Sequence, residues 1–136
     1  MSDAAELHRT MFDAIQRRDF HALGQLFAAD AIHTSGDGES ATGPEPVIAE
    51  VQAFVTAFPD LAIDIRHQHV PDASRSIVEY TFRGTQSGPL EDVPPTGNEV
   101  AVAACSVLEA KHGTIRRESD YYDTMAMLAQ LNVTPA

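Results

Sequence analysis

An α+β fold, with three N-terminal helices packed on a curved antiparallel sheet, is predicted by three observations. Apolar residues recur at spacings of three and four up to Phe58, and they alternate in runs between Leu61 and Tyr122. Glycine and proline mark the segment boundaries, as at Gly36-Asp37-Gly38 and Pro94-Pro95. A run of helices followed by a run of strands departs from the alternating order that builds parallel sheets. Helices covering one face of such a sheet can enclose a conical cavity. The 136 residues match the size of one domain, so 1–136 is read as a single unit.

The elements follow in order. Leu7, Met11, Ala14 and Ile15 form the apolar side of a first helix ending near Arg18. Glu6, His8, Arg9, Asp13 and Arg17 are assigned to its other faces. Asp19 is placed as the cap of a short second helix carrying Phe20, Leu23, Leu26 and Phe27, because its carboxylate can accept from unpaired first-turn N–H groups. A short strand over 30–35 precedes the glycine turn. Pro44 suits the first turn of a third helix, where its missing N–H would be unpaired anyway. Val47, Val51, Phe54, Val55 and Phe58 make that helix's stripe, and Pro59-Asp60 ends it. Strands are expected around Leu61, Ile63 and Ile65, then over 76–85, 100–110 and 114–122. The loop 86–98, with two glycines and three prolines, is a stiffened hairpin connection. A last helix runs through Met125, Leu128 and Leu131.

Charge and composition narrow the function. Nine Lys and Arg stand against twenty Asp and Glu, a net charge of −11. Nucleic-acid backbones and anionic lipid attract cations, so neither is expected as a partner. The start of the chain lacks a signal peptide's apolar stretch, and no apolar run approaches the roughly 20 residues that cross a bilayer. A soluble, cytoplasmic protein is expected. Cys105 is the single cysteine, which excludes an internal disulfide and a Cys/His zinc signature. GxGxxG, P-loop and GxSxG motifs are absent, so no cofactor and no serine triad are expected.

Four stretches together resemble a known family. They are Phe58-Pro59-Asp60-Leu61, Gly84-Thr85-Gln86-Ser87-Gly88, Pro94-Pro95-Thr96-Gly97, and Arg117-Glu118-Ser119-Asp120-Tyr121-Tyr122-Asp123 followed by Gln130-Leu131. In this order they resemble the SnoaL-like polyketide cyclase branch of the nuclear-transport-factor-2-like (NTF2-like) superfamily. The resemblance implies a cone-shaped α+β barrel, usually a dimer, with a pocket roofed by the first helix, so that Phe12 would face a ligand. It also implies that Asp120 is the general acid/base of an intramolecular aldol ring closure. Ser106 falls near a position where the family often has histidine, and Gln86 replaces the histidine of a Gly-Thr-His motif. The Arg-x-Asp pair of related epoxide hydrolases is matched by Glu79 and Thr81, which argues against epoxide hydrolysis.

The residues themselves supply the rest. Asp120 and Tyr122 share one face of the last strand by alternation. A carboxylate in a cone lined by Val and Ala loses hydration, which raises its pKa toward the range useful for proton transfer. Asp123 is assigned to capping the terminal helix. Glu79, Thr81 and Arg83 are placed on the inward face of their strand, where Glu79 and Arg83 could pair beside a substrate carbonyl. The same alternation sends Val78, Tyr80 and Phe82 outward, and an exposed stripe of that kind suggests a homodimer through the face bearing Tyr80 and Phe82. His33 is placed at the cavity mouth. His67 and His69 share a strand face without a third ligand at metal spacing, so no metal site is expected. Two functions stay open: a cofactor-independent cyclase or isomerase acting through Asp120 on an apolar, polyketide-like carbonyl compound, with Phe12, His33, Glu79, Arg83, Ser106 and Tyr122 shaping the pocket; or a non-catalytic carrier or dimeric scaffold with the same fold.

Overall fold

A computed structural model describes residues 3–134 of the chain. Four helices and six strands run in the order α1 (Ala4–Arg17), α2 (Phe20–Gln25), β1 (Phe27–Thr34), β2 (Ser40–Thr42), α3 (Pro44–Ala57), β3 (Ala62–Asp72), β4 (Arg75–Thr85), β5 (Glu99–Lys111), β6 (Thr114–Tyr122) and α4 (Thr124–Gln130). The caps follow the local chemistry. Asp3, Asp19 and Asp123 each accept a first-turn N–H with the side chain, from Glu6, Ala22 and Ala126 respectively. Pro44 occupies the first turn of α3 as expected. In α4 the buried member is Met127, while Met125 points to solvent.

The sheet order is β2-β1-β6-β5-β4-β3. Every pairing is antiparallel except β1 with β6, which is parallel. The expectation of a purely antiparallel sheet is corrected there. β1 enters from the helical half of the chain and lies beside the last strand, so no hairpin dictates its direction. It also begins earlier than expected, because Phe27 pairs with Ile115 and the Ile115 N–H donates to the Leu26 carbonyl. This one pairing sets His33 directly opposite Glu118.

The core decides which strand face turns inward. Val78, Tyr80 and Phe82 are buried with Val100, Val102, Ala104 and Leu108 of β5 and with Leu7, Met11, Phe12 and Ile15 of α1. Glu79 and Arg83 lie on the opposite, open face, where they bond His69 and Asp64. Two expectations are therefore reversed. Glu79 and Arg83 do not enter the cavity, and the stripe of Tyr80 and Phe82 is core rather than a dimer surface. Energetics give the reason. Burying a Val or Phe side chain stabilises by about 1.5–3 kcal/mol, whereas burying charges costs several. The alternation named the two sets correctly but not which of them faced the helices.

Loop 86–98 is clamped from within by Gln86, which is fully buried. Its amide nitrogen donates to the carbonyls of Val93 and Pro94, and its oxygen accepts from the Thr96 N–H and hydroxyl. Among the described residues, no helix is long and apolar enough to cross a membrane.

Candidate functional site

Between α1, α3 and the concave sheet lies a chamber of about 80 Å³. Its walls are apolar on the helix side, with Met11, Phe12, Ile15, Val47, Val51 and Phe54, and aromatic on the sheet side, with Tyr80, Phe82 and Tyr122. Its polar members are His33, Glu50, Glu118 and Asp120. His33, Glu50, Phe54 and Tyr122 also border a wider groove of about 890 Å³ between α3, loop 90–96 and α4. The two spaces adjoin at these four residues. Phe54, Phe82 and Tyr122 meet edge to face, which fixes the ring of Tyr122 at this neck.

The polar members form one cluster. His33 Nδ1 bonds Glu118 Oε1 at 2.7 Å, and its Nε2 bonds Glu50. Glu118 Oε2 accepts from the Ser106 hydroxyl at 2.5 Å. The Tyr80 hydroxyl donates to Asp120 Oδ1 at 3.3 Å. Local rules explain each position. Glu118, Asp120 and Tyr122 are two apart on one strand and share its concave face. Glu50 falls on the α3 face that also carries Val47, Val51 and Phe54.

Charge follows from burial and contact. Burial pulls the His33 imidazole down, but the hydrogen bonds and charges of Glu118 and Glu50 overcome it and raise its pKa to about 10. His33 is therefore an imidazolium held between two carboxylates. Burial pushes Glu118 up, yet the hydrogen bonds of His33, Asp120 and Ser106 outweigh it and hold the group below the ordinary glutamate value. For Asp120 burial dominates, the neighbouring Glu118 charge adds to it, and the pKa rises well above the ordinary aspartate value. The two carboxyls are thus shifted in opposite directions, Glu118 down and Asp120 up. The Tyr122 phenol is pushed up by burial and by the acids around it, so it stays neutral.

The expected site residues are only partly assembled here. Phe12, His33, Asp120 and Tyr122 line the chamber. Ser106 does not; it is fully buried behind Glu118. Glu79 and Arg83 are on the far side of the sheet, as described above. Three residues escaped the sequence reading. Glu118 stands two before Asp120, so alternation alone could have found it. Glu50 sits within the apolar stripe of α3, where a carboxylate is out of place. His8, assigned to a polar face, lies fully buried among Ala4, Leu7, Met11 and Phe12. His33, Glu50 and Asp120 bring ligand atoms within 4.8 Å of one another, close enough for a cation to bridge.

Residues 5–131 match the SnoaL-like polyketide cyclase family. No protein of curated function matches the chain in sequence. Solved structures share the fold. A proposed SnoaL-like polyketide cyclase from Jannaschia sp. CCS1 superposes with a TM-score of 0.86 at 20% identity, covering 96% of this chain and 92% of that one. AclR, a proposed hydroxylase from Streptomyces galilaeus, gives 0.82 at 22% identity over 96% and 81%. A protein of ketosteroid isomerase-like fold from Catenulispora acidiphila, solved in complex with trimethylamine, gives 0.80 at 21% identity over 96% and 95%.

Proposed function

The chain belongs to the SnoaL-like polyketide cyclase family, and from that premise we propose that its chamber is a cofactor-independent acid–base site for an apolar carbonyl compound. The observation that carries this reading is the placement of Glu118 and Asp120 side by side against an apolar and aromatic chamber, with Glu118 bonded to His33 and Ser106 and Asp120 bonded to Tyr80; burial and the neighbouring charges push the two carboxyls in opposite directions. A neutral carboxylic acid can donate to a carbonyl oxygen, and it stabilises an enolate most where water is excluded. Glu50, at the neck, is placed to take the proton from the adjacent carbon. In this scheme the C–H proton passes to Glu50, its electron pair forms the C=C bond, and the carbonyl oxygen takes the Asp120 proton. The enol then returns its O–H proton to Asp120 while its C=C pair either attacks a second carbonyl of the same molecule, whose oxygen takes the proton from Glu50 as the ring closes, or takes the Glu50 proton at another carbon. His33 balances the charges of Glu50 and Glu118 throughout.

The groove supports a substrate that is not an anion. Among the described residues its lining holds Asp37, Glu39, Glu50, Glu91 and Asp92 against one cationic side chain, His33, which Glu50 and Glu118 already neutralise, and no Lys or Arg. An incoming carboxylate or phosphate would meet repulsion from these groups. The same acids beside aromatic faces favour a second reading, in which the pocket binds a small amine without chemistry. The relative solved with trimethylamine supports that reading by analogy of fold.

The deciding experiment is turnover of a panel of neutral polyketide and ketosteroid carbonyl compounds by wild type and Asp120→Asn. General acid–base catalysis contributes about 10²–10⁴-fold, so a loss of that size is expected. The activity is expected to persist in a chelator. Full activity in Asp120→Asn would remove the assigned role, and amine binding without turnover would favour the second reading.

Self-association is proposed through the convex face. There Tyr121 is 60% exposed beside Cys105, with Ala101 and Ala103 also exposed along the neighbouring strand. Light scattering of wild type and Tyr121→Arg tests it; a dimer converted to monomer is the expected result.

A further inference from the structure

A single file of hydrogen bonds runs from the surface of α1 through the core to Glu118. Arg9 Nη1 donates to Gln68 Oε1 at 2.8 Å, and Gln68 Nε2 donates to the Ala5 carbonyl and to Ser76 Oγ, both at 3.0 Å. Ser76 Oγ meets His8 Nδ1 at 2.8 Å, and His8 Nε2 meets Ser106 Oγ at 2.9 Å. Ser106 Oγ then reaches Glu118 Oε2. Ser76, His8 and Ser106 are all fully buried.

Donor counting gives one placement of the protons in which every link of this file has a donor and an acceptor. An arginine can only donate and a backbone carbonyl can only accept, so the Gln68 amide has one orientation. Ser76 therefore accepts from Gln68 and has its own proton left for His8 Nδ1. His8 is neutral, because burial outweighs the Glu118 charge and lowers its pKa to about 4. Its one proton must then sit on Nε2 and point at Ser106 Oγ. With that lone pair occupied, the Ser106 hydroxyl is directed at Glu118. Glu118 already accepts from His33 on its other oxygen. Both of its oxygens are thus served by donors from outside the carboxyl pair.

We propose that Ser106, held by His8, is a positioning residue: it commits its hydroxyl proton to Glu118 and so leaves the shared proton of the Glu118–Asp120 pair on Asp120. This deepens the acid–base reading of the site and rests on it for its use in turnover. The other groups facing the pair are His33 from β1, Glu50 from α3, Tyr80 from β4 and Tyr122 from β6, and none of them donates to Glu118 Oε2.

The test is a carboxyl-carbon NMR titration of Asp120 and Glu118 in wild type, Ser106→Ala, Ser106→Thr and His8→Leu. Ser106→Ala is expected to weaken the hold of Asp120 on its proton about tenfold, a fall of about one pH unit in its midpoint. His8→Leu moves it the same way by less, and Ser106→Thr, which keeps the hydroxyl, retains the wild-type midpoint. An unchanged Asp120 midpoint in folded Ser106→Ala overturns the proposal. If Ser106→Ala does not fold, His8→Leu carries the test, and an unmoved midpoint there has the same force. Turnover that needs Asp120, with a midpoint that ignores Ser106 and His8, would sink this inference and spare the catalytic one. A midpoint that moves in a protein without turnover on any substrate would do the reverse.

Discussion

Two histidine–glutamate pairs of nearly the same length sit on opposite sides of one sheet. His33 meets Glu118 at 2.7 Å on the concave side, and His69 meets Glu79 at 2.6 Å on the convex side. Their side chains are 5% and 2% exposed in the first pair, and 56% and 49% in the second. Distance therefore does not separate them; water does. On the convex side solvent screens the charges and the side chains surrender entropy to meet, so the pair adds little. On the concave side neither charge can be hydrated, and each is tolerable only because the other is present. The buried pair also acts on the neighbouring Asp120, while in the exposed pair His69 holds Glu79 below its ordinary value.

The widest separation between the two regions is expected on removing one partner. Glu118→Leu leaves His33 with Glu50 as its one acidic partner and is expected to lower the unfolding free energy by about 3 kcal/mol, the low end for a broken buried pair, measured by urea denaturation. The double variant His33→Leu with Glu118→Leu is expected to recover part of that loss, since neither charge of the pair remains. A loss in the double variant equal to the sum of the two single losses would show that the pair is not coupled.

Stability against pH sharpens the same contrast. His33 binds its proton more tightly folded than unfolded, so its contribution is complete below about pH 6.5 and fades as the pH rises toward about 10. Asp120 acts in the same direction, because its pKa is also raised on folding. His8 acts oppositely: its lowered pKa means a contribution present above about pH 6.5 and lost as the pH falls through about 4. A dome of stability centred between these limbs is expected from melting temperatures across pH. His8→Leu should make the acid limb shallower, leaving the part that Glu118 contributes.

A smaller effect is expected at the neck. A Cβ on Gly36 would lie 2.1 Å from the Tyr122 ring, which Phe54 and Phe82 hold in place. Gly36→Ala should displace that ring at a cost of about 1–3 kcal/mol and weaken ligand binding, seen by thermal shift and titration. The smallest effect belongs to the convex pair. Glu79→Gln and Arg83→Gln are expected to leave the urea midpoint and any turnover at wild-type values. A loss in either would mean that this face takes part in the site.

Much of the fold was legible in the residues because its signals are local. A capping aspartate or a proline in a first turn acts within three or four residues, so α1, α2, α3 and β6 were placed close to where they lie. The alternation in Arg116-Arg117-Glu118-Ser119-Asp120 contained the acidic pair, although only Asp120 was taken from it. Glu50 and His8 were equally visible as polar residues inside apolar stripes, but nothing in one helix says what waits opposite.

The amino-acid sequence by itself determined the α+β class, the family resemblance and the carboxylate on the last strand. Tertiary structure alone decided which face of β4 turned inward, and it reversed the placement of Glu79, Arg83, Tyr80 and Phe82. It alone set His33 against Glu118 through a parallel pairing of the first and last strands, and His8 against Ser106 across 98 residues of chain. Period-two alternation is symmetric between the two faces of a strand, and the symmetry is broken only by what packs on one of them. Likewise, a carboxyl's proton depends on water and neighbouring charges, which a chain acquires only once it has folded.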